Sequence, residues 1–100
     1  MAAKTAVVEE TRDKTALAPR WKVILHDDPI TTFDFVVGVV RSVFAKPAAE
    51  AERITREAHD TGSALVTVLP LEQAEFRIER VRSQARAQGF PLTLTMEPAD

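Results

Sequence analysis

The chain has 100 residues, of which 45% are apolar and 28% charged, and it contains no cysteine. That length suits one small domain, because two halves would each be too short to bury a core, and the missing cysteines exclude a disulfide framework, a thiolate zinc site and a thiol nucleophile. Thirteen basic against fifteen acidic side chains leave a net charge of -2, which excludes the broad basic face that nucleic-acid binding relies on.

Residues 1–20 begin Met1-Ala2-Ala3-Lys4-Thr5, without the apolar run of a signal peptide. They mix alanine with scattered charges and end at Pro19-Arg20. We expect a flexible N-terminal arm there, since so little apolar surface cannot offset the entropy of ordering it. Order is expected from Trp21. Trp21 to His26 reads as a strand, and Asp27-Asp28-Pro29 as the turn that ends it.

Thr31 or Thr32 can cap a following helix, with Asp34 in its first turn and Val36, Val40, Val43 and Phe44 on one face. Its apolar run, Phe35 to Val40, stops at Arg41, far short of the roughly 20 residues that span a membrane. Pro47 opens a second helix with Ala51, Ile54, Thr55 and Ala58 inward, and Gly62 supplies its stop. Ser63–Leu69 reads as a strand. Pro70 then starts a third helix with the stripe Leu71, Ala74, Ile78, Val81 and Ala85, which Gly89 and Pro91 end. Leu92–Met96 alternates as a last strand. The order β-α-α-β-α-β predicts an α+β fold, with three helices on one face of a three-stranded antiparallel sheet.

Few residues can carry chemistry. Ser42 and Ser83 fall inside helices, no serine sits in a nucleophile elbow, and the three glycines are too dispersed to cradle a phosphate. His26, Asp27 and Asp28 with a helix-borne His59 offer nitrogen and oxygen ligands for a metal, whereas the plainer reading of Asp-Asp-Pro is ordinary turn chemistry. Arg77, Arg80, Arg82 and Arg86 alternate with Glu72, Glu75 and Glu79, as on a solvated helix face with paired charges or on a face that docks a partner.

The segments Trp21 to Pro29, Phe33 to Val37, Ala58 to Ala64, Glu72 to Glu75 and Gly89 to Leu92 together resemble ClpS, the adaptor that delivers N-degron substrates to the AAA+ Clp protease. The likeness covers about residues 20–98 in order, nearly the whole expected domain of residues 21–98. It implies a fold shared with the C-terminal domain of the ribosomal stalk protein, a monomer in the cytoplasm, no enzymatic activity and no cofactor. It also implies that Asp27, Asp28 and His59 bind a free α-amine, because an ammonium presents donors only and needs an anion and neutral acceptors. A pocket for the first side chain is implied at Leu25, Thr31, Phe33, Val36, Thr55, Ala58 and Leu92. Glu72, Glu75 and Arg77 are implied to dock the N-domain of a ClpA- or ClpC-type ATPase, with the arm engaged by the unfoldase pore.

The sequence departs from the family pattern at five of these places. Asp27 stands for the usual asparagine, Pro29 for a polar residue, Phe33 for a gate methionine, and Thr55 and Ala58 for a methionine and a larger aliphatic. We expect Thr55 and Ala58 to make the pocket wider and more polar, with aromatic residues or leucine as preferred first residues. The alternatives are a docking domain of this fold that has lost degron recognition and, third, a His/Asp metal enzyme.

Overall fold

In the computed structural model, which describes residues 19–99, the elements run β1 (Arg20–His26), α1 (Phe33–Phe44), α2 (Ala48–Thr61), β2 (Ser63–Pro70), α3 (Leu71–Ala87) and β3 (Thr93–Pro98). This is the α+β fold that the element order implied. Residues 1–18, most of the expected arm, lie outside the described residues. Arg20 is already in the sheet, opposite Pro70, and its carbonyl accepts the N–H of Ala99 at 2.9 Å. The first strand therefore begins one residue earlier than the expected Trp21.

β1 is the middle strand, antiparallel to β2 on one side and β3 on the other. Leu25 pairs with Ala64 and Leu94, and all three are buried, so the centre of the sheet turns an apolar face to the helices. The pairing of β1 with β2 steps past Val66 between Val23 and Ile24. Such an extra residue bends the strand and increases its twist.

Each helix has a local reason for its ends. Thr32 caps α1, its hydroxyl accepting the N–H of Phe35 at 3.2 Å. Pro47 and Pro70 precede α2 and α3 with extended backbone and no side-chain cap. Gly62 ends α2 at φ 100°, a conformation that a β-carbon disfavours, and its N–H returns to the Ala58 carbonyl at 2.8 Å.

The inward stripes read from spacing are buried, with two differences. Val39 joins the buried face of α1, because it lies beside Val36, Val40 and Val43 on the helix surface and widens the stripe. Leu71, expected inside, is 41% exposed: it is the first residue of α3, at the sheet's rim, and core burial begins one turn later at Ala74.

Candidate functional site

The first strand delivers the site. After His26 the chain leaves the sheet, and the N–H of Asp27 donates to the Gly62 carbonyl at 3.0 Å, fastening the end of β1 to the stop of α2. His59 lies just before that stop, and its Nδ1 comes within 3.6 Å of Asp27 Oδ1. Both side chains reach solvent, at 37% exposure for Asp27 and 68% for His59. Residues 32 positions apart in sequence are thus neighbours because Gly62 turns the chain between them.

Asp28 holds the next turn. Its Oδ1 accepts the N–H groups of Ile30 at 2.8 Å and Thr31 at 2.7 Å, and its Oδ2 accepts the Thr31 hydroxyl at 2.7 Å. Partial burial raises the carboxyl's pKa, the bonds from Thr31 and Ile30 lower it, and the balance lies below the ordinary aspartate value. An ionised carboxylate is favoured because all three donors stabilise its charged form. With two bonds at Oδ1 and one at Oδ2, Oδ2 keeps a lone pair for a further donor.

Beside these groups is a cavity of about 500 Å³. Leu25 forms its floor from β1, Phe33 and Val36 reach it from α1, and Thr55 and Ala58 from α2. Leu92, just before β3, and Thr31 complete the apolar wall, while His26, Asp27, Asp28, Pro29 and His59 contribute to the rest of the lining. Leu92 is carried there by its neighbour Phe90, whose ring packs edge-on against Phe35 of α1 at 5.0 Å between centroids. All seven residues expected around a pocket, and the three expected at an amine site, line this one cavity.

Thr55 is buried, but it does not make the wall polar as expected. Its hydroxyl donates to the Ala51 carbonyl one turn back at 2.8 Å, so the one proton it could offer is spent inside its own helix. The metal alternative also fails on geometry. His26 Nε2 lies 2.7 Å from the Thr95 hydroxyl, and no group of three metal-ligating side chains occurs among the described residues.

Two features of the rim escaped the sequence reading. Ile30 is 61% exposed on the loop that Asp28 closes. Arg56 places its guanidinium carbon 5.3 Å from the centroid of the Phe33 ring, a cation–π contact at the cavity wall. The spacing of Arg56 and His59, three apart on one helix, was the available signal.

The expected partner face lies on α3. Glu72 and Glu75 are exposed, whereas Arg77 is half-buried and its Nη1 donates to the Val43 carbonyl near the end of α1 at 2.6 Å. Arg77 therefore ties two helices together. Of the expected charge pairs along α3, Glu79 and Arg82 form one at 3.9 Å, while Arg80 stacks 5.8 Å from the ring of Phe76, itself 60% exposed.

Fold and cavity together define a small α+β module whose chemistry is concentrated in one apolar pocket with an acidic, histidine-bearing rim. Comparison with known proteins places it further. Residues 16–95 match the family model for the ATP-dependent Clp protease adaptor protein ClpS. The chain is 46% identical over 92 residues to the ClpS adapter of Desulfatibacillum aliphaticivorans, across 92% of this chain and 88% of that one. It is 41% identical over 93 residues to that of Nautilia profundicola, across 93% and 96%. A solved structure of Agrobacterium tumefaciens ClpS2 bound to L-phenylalaninamide superposes with a TM-score of 0.78 at 33% identity, over 81% of this chain and 98% of that one. The chain belongs to the ClpS family, the adaptors of the ATP-dependent Clp protease. Its relatives are named as adapter proteins, and no helix of the described residues is long and apolar enough to cross a membrane.

Proposed function

We propose that this adaptor binds N-degrons, meaning chains with a free α-amine and a large hydrophobic first residue, and hands them to a ClpA- or ClpC-type ATPase. The observation that carries this is the junction of the 500 Å³ cavity with Asp27, Asp28 and His59 in one lining. The amine is received by Oδ2 of Asp28, by Asp27, and by a ring nitrogen of His59. Burying a leucine or phenylalanine side chain in the cavity contributes roughly 1.5–3 kcal/mol, and a charge-assisted bond to the amine a similar amount. Neither alone overcomes the cost of association, so selectivity follows from needing both. The phenylalaninamide held by the Agrobacterium ClpS2, an aromatic side chain beside a free amine, supports the same ligand class here.

Glu72 and Glu75 dock the ATPase's N-domain, and Arg77 sets the height of α3 through Val43 while contributing charge. The adaptor acts as a monomer in the cytoplasm. Fluorescence anisotropy with Phe-, Leu- and Val-initiated peptides and their acetylated counterparts tests the degron reading. Free-amine Phe and Leu peptides are expected to bind and acetylated ones not. Equal binding of a peptide and its acetylated form would leave a docking module without degron recognition.

A further inference from the structure

Arg56 stands beside the pocket, packed on one of its lining residues. Its guanidinium packs over Phe33, which lines the cavity, and it precedes His59 by three residues on α2, a spacing that puts both on one helix face. Arg56 is exposed, and its charge pairs with no carboxylate among the described residues, whereas its neighbour Arg53 on the same helix meets Glu50 and Glu57. An extended peptide advances about 3.3–3.6 Å per residue, so its second and third side chains lie within about 7–10 Å of an amine seated at His59 and Asp27. That is a distance a long arginine side chain on the adjoining helix can span. The rim is therefore divided, with the carboxylates of Asp27 and Asp28 on the loop side and one cation on the α2 side.

We infer that Arg56 is a specificity-determining residue that favours an acidic side chain at the second or third position of the N-degron and disfavours a basic one. This rests on the degron reading above. It adds a second criterion to the first-residue pocket: Asp27 and Asp28 attract the amine itself, and Arg56 selects the sign of the residues that follow. An interaction across about 7 Å of partly hydrated space is modest and is weakened further over a Debye length of about 8 Å at physiological salt. The preference is consequently a tuning of affinity, strongest at low ionic strength.

The test uses free-amine peptides beginning Phe-Glu, Phe-Gln and Phe-Lys, otherwise identical, with the intact protein and the variants Arg56→Gln and Arg56→Lys. Because the loop carboxylates act on all peptides alike, the quantity read is the change in the Glu/Lys affinity ratio between proteins. In low salt the ratio should fall about three- to eightfold in Arg56→Gln and stay within about twofold of the parent in Arg56→Lys, and the difference should shrink at about 0.3 M salt. A ratio unchanged in Arg56→Gln, with the Phe-Gln peptide still bound, overturns the role of Arg56 and leaves the degron reading standing. If no free-amine peptide binds any of the proteins, the degron reading fails and this inference with it.

Discussion

Thr31 gives both of its donors to Asp28: its N–H meets Oδ1 and its hydroxyl meets Oδ2, each at 2.7 Å. The carboxylate proposed to receive the amine is thereby held in place by a residue that also lines the cavity. Loop geometry and ligand geometry share one side chain, and the two roles can be separated by substitution.

Thr31→Val removes the hydroxyl bond and keeps the backbone one, so it should cost about 1 kcal/mol of stability and leave Phe-peptide binding within several-fold of the parent. Asp28→Ala strips all three bonds and should cost about 1–2 kcal/mol while abolishing binding, since the amine loses its principal anion. Denaturant titration gives the first quantity and anisotropy the second. Equal loss of binding in the two variants would mean that the two roles cannot be separated.

Acid should expose the same group. Because the folded pKa of Asp28 lies below its unfolded value, its stabilisation is fully present above that unfolded value, near 3.9, and disappears as pH falls through the lower folded one. The stability difference between the parent and Asp28→Asn should be constant above about pH 5 and shrink below about pH 4. Urea titrations from about pH 7 to 2.5 would show it, and a gap that widens with acid would contradict the sign.

Gly62 carries two duties: a backbone at φ 100° and the carbonyl that fastens Asp27. A methyl added there meets no atom within 4 Å, so the cost of Gly62→Ala is conformational, about 1–2 kcal/mol. Thermal melts should drop by several degrees for a domain of this size. Amide exchange at Asp27 should also quicken, a local change that a distant destabilisation of equal size would not produce.

Arg77→Ala should lower stability by about 1 kcal/mol even without any partner, because the Val43 carbonyl loses a charged donor. Glu72→Ala and Glu75→Ala, at exposed positions, should change stability by less than about 0.5 kcal/mol and weaken ATPase capture alone. Pull-down with the ATPase N-domain, set beside melting curves, separates the docking residues from the tether.

Much of this molecule is legible in its sequence. Threonine, proline and glycine mark the helix ends through local backbone chemistry, and the three- and four-residue steps at Val36 to Phe44 and Ala74 to Ala85 mark the buried stripes. Those signals are local, so a linear reading recovers them. Ala45 shows the limit: it ends α1 in a left-handed conformation at φ 55°, without the glycine that would have announced it. The pocket and amine residues were proposed through likeness to a family, since nothing in their spacing says that Leu25, Thr55 and Leu92 share one wall.

What the sequence determined by itself was one small α+β domain without thiol chemistry, its element order and, through family likeness, the residues proposed for the site. Only the folded structure decided which partners these side chains take. Thr55 turns its hydroxyl back to Ala51 and leaves the wall apolar, Arg77 reaches 34 residues back to Val43, and Arg56 settles over Phe33. The two arginine contacts depend on two helices arriving side by side, and long side chains with several rotamers commit to a partner only when packing supplies one.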